Sequence, residues 1–305
     1  MTITNLTNDG LHSQLIILAR VVAKYGAIDK DELISVCTAL DELGKERDLA
    51  RLRATLKRWT DLGLFAEDSS KVLLTAPLAR GESLEAFTER LPAACRQILM
   101  QEQHCLPLWV ASGEVSEDGA GRVADFARSL SWALAQNIYN LPSSTDDIDA
   151  LVRMQISAAR SIFQNKTRWP GMRVWARYLG FGTGDDANFL LDPTEAVRSE
   201  LPNVLTQGQS TPADVFIDEL SIRLPVLDRG AYRREVESHL RTDTWRRPPE
   251  GHLSMSLSMA LRRLELNGML ALEAKADAGT SLGLTGRDYR SWTRFTHVRL
   301  LGDAN

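Results

Sequence analysis

The sequence predicts a mainly α protein with small β wings: two winged helix-turn-helix domains flanking a helical middle domain. Three observations carry that prediction. Leu56-Lys57-Arg58-Trp59-Thr60-Asp61-Leu62-Gly63-Leu64-Phe65-Ala66 returns far downstream as Leu261-Arg262-Arg263-Leu264-Glu265-Leu266-Asn267-Gly268-Met269-Leu270-Ala271. In both blocks apolar residues keep helical spacing up to a Gly, which suits a helix ending on a left-handed residue, and a short strand-like apolar run follows. Between the blocks, residues 82–203 show helical patterns without obvious strands. Self-similarity of this kind reports a shared supersecondary unit, and the expected boundaries are 1–80, 81–205 and 206–305.

In the first unit, Leu11, Leu15, Ile16, Leu18, Ala19 and Val22 form a stripe that Gly26 ends. Asp29 offers a cap with Glu32 as its reciprocal partner, opening a second helix through Leu33, Ile34, Val36, Cys37 and Leu40. Gly44 makes the turn into a third helix over 45–62, whose Leu49, Leu52, Leu56 and Trp59 face a core. Residues 64–66 and 72–75 flank a polar pentapeptide and read as a hairpin wing. Arg51, Lys57 and Arg58 are the candidate DNA contacts of this unit. Acids at the wing tip and the mixed sign of the third helix leave a solvated face as an equal alternative to groove entry, so phosphate contact is the expectation.

The middle segment begins with a helix over 84–103, interrupted at Pro92, followed by helices over 123–141 and from Thr145 through Phe163. Residues 169–182 read as a short amphipathic helix with a Gly stop. Trp175, Tyr178, Leu179 and Phe181 are expected in the core; the sharper alternative is a protein-partner surface formed by Arg168, Arg173 and Arg177. The polar run 206–212 reads as a domain boundary.

The last hundred residues rebuild the first unit, with helix one over 215–224, helix two over 232–240, helix three over 253–266 and wing strands at 270–273 and 296–301. Between Arg229 and Arg299 arginine outnumbers acid, the distribution a nucleic-acid face produces. Arg246, Arg247, Arg262, Arg263, Arg290 and Arg294 are the candidate DNA contacts, with Trp245 and Trp292 as planar groups able to lie on sugar or base. Ser254, Ser256 and Ser258 are read as the exposed part of helix three, able to touch phosphate but to read little sequence.

Composition narrows the class. A chain of 305 residues that is 44% hydrophobic and 25% charged is ordinary globular material, and a net charge of -4 confines any nucleic-acid surface to a local patch. Three cysteines without a CxxC pair fit a reducing cytoplasm; no apolar run suits a membrane span, and the first residues lack a signal-peptide pattern. His12, His104, His239, His252 and His297 are scattered, the His104-Cys105 pair stands alone, and no phosphate loop, dinucleotide fingerprint or nucleophile elbow occurs. Asp146-Asp147 and Asp185-Asp186 read as caps in polar turns. Neither enzyme activity, cofactor nor metal is expected.

The paired winged helices resemble the bacterial winged-helix DNA-binding class, and their tandem arrangement is similar to accessory subunits of SMC-type complexes. Three blocks resemble the DpdG family of bacterial clusters that place 7-deazaguanine in DNA and restrict phage. They are Asn8-Asp9-Gly10-Leu11, the Leu56 to Phe65 block, and residues 169–181 followed by Leu191-Asp192-Pro193-Thr194. The resemblance implies a role in modification-dependent defence beside helicase-like and nuclease-like partners. The expected function is thus a non-catalytic cytoplasmic subunit of a defence complex that binds duplex DNA with little sequence selectivity; a homodimer is compatible with it. A protein-docking scaffold and a ligand-responsive transcription regulator are the alternatives, because fold does not fix function.

Overall fold

Leu15, Leu18, Ala19 and Val22 are buried at helical spacing, so the first described helix turns an inner face to three others. The computed structural model describes residues 3–4, 12–39, 46–110, 120–163, 165–276 and 279–302. The leader 8–11, the turn at Gly44 and the helix start at Lys45 lie outside the described residues. The protein is mainly helical with small antiparallel sheets, as its sequence predicts.

The first unit contains α1 (His12–Tyr25), β1 (Ile28–Asp29), α2 (Lys30–Ala39), α3 (Glu46–Leu62), β2 (Phe65–Asp68) and β3 (Lys71–Leu74). Asp29 Oδ1 accepts from the Asp31 and Glu32 amides at 2.9 and 3.4 Å, which starts α2 where the sequence placed a cap. The three-stranded sheet has β3 at its centre, paired with β1 through Ile28 and Val72 and with β2 through Phe65 and Leu74. Gly63 stops α3 at a φ of 94°, and the Leu64 amide donates back to Trp59 at 2.8 Å.

The middle segment carries α4 (Leu84–Leu99), α5 (Glu102–Cys105), α6 (Ala124–Leu134), α7 (Thr145–Gln155) and α8 (Arg168–Tyr178), then the hairpin strands β4 (Gly182–Thr183) and β5 (Leu190–Leu191). Pro92 does not interrupt the first of these helices: α4 runs through it, and the break comes only after Leu99. Trp175, Leu179 and Phe181 are fully buried, as expected of core.

The remaining elements are α9 (Thr194–Val204), β6 (Ser210–Pro212), α10 (Ala213–Arg223), α11 (Ala231–Ser238), α12 (Met255–Leu266) and β7 (Leu270–Glu273). They are followed by β8 (Leu282–Thr285), β9 (Ser291–Phe295) and β10 (His297–Leu300). Gly268 repeats the stop of Gly63 with a φ of 69°, and the Met269 amide donates to Leu264 at 3.0 Å. A second three-stranded sheet again has its last strand at the centre, β10 pairing with β6 and β7.

The two units correspond, but with a different frame from the one the sequence suggested. β1 immediately precedes α2, and β6 immediately precedes α10, so α9 holds the place of α1 and α10 that of α2. Packing agrees: α1 lies on α2 and α3, and α9 lies on α10 and α12. The helix read from sequence as the second of this unit, α11, is an insertion packed on α6. The polar run read as a boundary contains β6, which is hydrogen-bonded into the sheet. The long polar segment between the wing strands is itself a hairpin, β8 with β9.

Candidate nucleic-acid interface

Arg246, Arg247, Arg287, Arg290 and Arg294 reach the surface on the β8–β9 hairpin and the loop beside it. β9 pairs with β8 through Leu282 with Phe295, Gly283 with Arg294 and Thr285 with Ser291. Leu282, Leu284 and Phe295 bury the hairpin root, while Ser291, Trp292, Thr293 and Arg294 are all exposed. The tip is a left-handed turn, with Asp288 and Tyr289 at φ of 58° and 60° and the Arg290 amide donating to Arg287 at 3.2 Å. Such turns favour Asn-Gly, and a bulky residue there is held by its surroundings.

Those surroundings are the neighbouring loop. The Tyr289 hydroxyl donates to the Arg246 carbonyl at 3.1 Å, and the Arg246 guanidinium lies 4.2 Å from the centre of the Tyr289 ring. Burial pushes the Tyr289 phenol up, against the opposite pull of Arg246. Gly251 and Leu253 exchange backbone hydrogen bonds with Gly283, and His252 Nε2 lies 3.1 Å from Ser291 Oγ, so loop and hairpin form one platform. Arg247 reaches over Trp245 at 5.7 Å and lies 4.0 Å from Glu237 while remaining mostly exposed. Arg294 donates to the Ser281 carbonyl at 2.7 Å and to its hydroxyl at 3.0 Å, and Arg290 is exposed.

Four of the six arginines expected in this unit, Arg246, Arg247, Arg290 and Arg294, therefore share one platform. Arg262 and Arg263 do not join it. They sit at the C-terminal end of α12, where Arg262 pairs with Glu265 and Arg263 with Asp192. Sequence reasoning missed Tyr289, which holds Arg246, although alternation on either side of Gly286-Arg287-Asp288 was a hairpin signal.

Two expectations are corrected. Ser254, Ser256 and Ser258 are not exposed but 1%, 0% and 0% accessible. Ser254 donates through its amide and hydroxyl to the Asp228 carboxylate, both at 2.6 Å, and Ser256 donates to the Leu134 carbonyl at 2.8 Å. The small side chains let α12 lie close against the end of α6, so its first turns cannot enter a groove in this arrangement. Trp245 is likewise buried, with Nε1 donating to the Ala135 carbonyl at 3.1 Å. The hydrogens thus satisfy carbonyls that α6 leaves unpaired at its end.

In the first unit, Lys57 is exposed and Arg51 and Arg58 are half-buried along α3. The three arginines considered as a partner surface hold the chain to itself. Arg173 donates to the Asp186 carbonyl and stacks 5.1 Å from Phe189, Arg177 meets the Asp186 carboxylate at 2.6 Å, and Arg168 reaches Thr4 at 3.5 Å. His104 and Cys105 are core groups, bonded to the carbonyls of Leu62 and Leu99 at 3.1 and 3.0 Å. No cluster of His, Cys, Asp or Glu able to hold a metal occurs among the described residues. Among them, too, no helix is long and apolar enough to cross a membrane.

The sequence profile described as DpdG-like matches residues 1–278. The chain belongs to the DpdG-like family. No curated protein and no solved structure matches it. Membership points to a role in the Dpd DNA-modification system.

Proposed function

We propose that this DpdG-like protein is a non-catalytic subunit of a bacterial DNA-modification and phage-defence system that holds DNA with little sequence selectivity. The observation that carries the reading is the platform on which Arg246, Arg247, Arg290 and Arg294 reach solvent in a chain of net charge -4. The order helix, strand, helix, helix, strand, strand, with the last strand central, is that of a winged helix, and both units follow it once α11 and the β8–β9 hairpin are set aside as insertions. On this reading the C-terminal winged helix begins at α9, and the inserted hairpin, rather than the third helix, presents the charge. Phosphate contacts give affinity without base selection.

Gel shifts across a salt series on unrelated duplexes test it. Each phosphate neutralised contributes a slope of about -0.9 in log affinity against log salt, so Arg246→Ala with Arg247→Ala should flatten the slope by roughly one to two units on every sequence. Absence of binding even at low salt would refute the proposal.

A second reading, protein docking, has its own support. The first turns of α12 are buried, while Val215 and Ile222, two helical turns apart on α10, are 46% and 73% exposed. A partner that copurifies stoichiometrically without DNA, and is lost on Ile222→Asp, would favour it.

A further inference from the structure

Trp292 is the only tryptophan of the chain that reaches solvent: it is 41% exposed, and the other six are 8% exposed or less. Its position is built rather than incidental. The indole lies against Gly286 across the hairpin, where any Cβ would collide with the ring. Only a glycine there leaves room for the ring. Arg290 stands opposite Gly286, its carbonyl accepting the Gly286 amide at 2.8 Å, and so shares the side of the Trp292 ring, whereas a register shift between Gly283 and Thr285 turns Arg294, paired with Gly283, to the other side. Arg294 is held there by two hydrogen bonds to Ser281.

A seated, half-exposed aromatic with a guanidinium beside it on the same face matches an unpaired base and a neighbouring phosphate. In a duplex the faces of the bases are already stacked on one another, so only a single strand, a frayed end or a flipped base offers a free face. The geometry points to the β8–β9 hairpin as a single-strand DNA platform, with Trp292 stacking on one base while Arg290 contacts the phosphate beside it. The inference rests on the reading that the chain contacts DNA and names the form of DNA that this face takes.

The experiment titrates the full chain with oligo(dT) and with a duplex of equal length at one salt concentration, following tryptophan emission and fluorescence anisotropy of the labelled DNA. Oligo(dT) should quench the exposed tryptophan, and the quench should vanish in Trp292→Phe while binding persists. Trp292→Ala should weaken oligo(dT) binding about 5- to 150-fold, the equivalent of losing one base–aromatic stack, and leave duplex binding within twofold. Equal oligo(dT) affinity for the wild type and Trp292→Ala, with Arg246→Ala/Arg247→Ala still weakening duplex binding, would overturn the single-strand platform and leave the DNA-contacting role standing. Failure to bind either DNA at low salt would overturn both.

Discussion

Arg96 of α4 and Glu200 of α9 meet at 3.4 Å with side chains only 2% and 1% exposed. Arg96 also donates to the Leu179 carbonyl at 2.8 Å and to Ser199, while Arg223 reaches Glu200 from the surface at 3.4 Å. Burial pushes the Arg96 guanidinium down and Glu200 draws it back, so the carboxylate offsets part of the cost of burying the cation. Glu200→Ala should lower stability by about 3–5 kcal/mol, the usual result of stranding one member of a buried pair. Glu200→Gln keeps a hydrogen-bond acceptor and should cost less. Urea unfolding of the two variants checks the order; equal losses would contradict it.

The Trp59 and Trp175 rings, from α3 and α8, lie 5.8 Å apart, both almost wholly buried. Trp175→Ala should cost about 3–5 kcal/mol, the range for truncating a large core aromatic. A double-mutant cycle with Trp59→Ala should return a coupling of about 0.5–1.5 kcal/mol beyond the area lost. Thermal denaturation that leaves Trp175→Ala unchanged would put the ring in a partner surface instead.

Much of this architecture was legible, and the illegible part has physical causes. The glycine stops at Gly63 and Gly268 were readable because a left-handed residue after an apolar helical stripe leaves few alternatives. The frame of the C-terminal unit was not, because α9, α10 and α11 carry similar amphipathic patterns and only tertiary contact selects α9 as the counterpart of α1. Ser254, Ser256 and Ser258 were misplaced because serine is mostly a surface residue, whereas here hydroxyls answer the Asp228 carboxylate and the carbonyls of Leu134 and Leu253. Of the candidate interface, the arginines could be counted in the sequence; that four of them share a platform depended on a turn whose left-handed residues are Asp288 and Tyr289 rather than glycine.

His104 supplies a pH dependence. Its ring is buried with Nε2 at 3.1 Å from the Leu62 carbonyl; burial, the main cause, and nearby Arg122 push its pKa down, while the bond to Leu62 opposes them. His239, edge-on to Trp109 at 5.2 Å, is pushed down by burial and by Arg160. Both therefore take up a proton less readily folded than unfolded. Below about pH 6.5, the ordinary histidine value, the unfolded chain binds more protons, so stability falls as pH falls. Urea midpoints should drop between pH 7.5 and 5.5, and His104→Gln should show a shallower drop. A midpoint that rises over this range would refute the assignment.

Arg263 and Arg290 allow the structural and DNA-contacting roles of arginine to be separated. Arg263 pairs with Asp192, a 7% exposed carboxylate that also accepts from the Thr194 amide at 3.1 Å at the start of α9. Arg263→Ala leaves that carboxylate without its cation. Since the arginine itself is 45% exposed, solvent screens part of the effect, and a loss of about 1–2 kcal/mol is expected. Its removal should barely alter DNA affinity, because its charge is already opposed by Asp192. Arg290 is exposed on the hairpin tip, with no acidic partner among the described residues. Arg290→Ala should leave stability within about 0.5 kcal/mol, as surface changes usually do, and reduce the salt slope of DNA binding by about 0.9. Urea unfolding and a salt series on the two variants give four numbers with a crossed pattern. If Arg263→Ala instead weakens binding as much as Arg290→Ala at equal stability, the end of α12 belongs to the interface and the platform is larger than the hairpin and its loop.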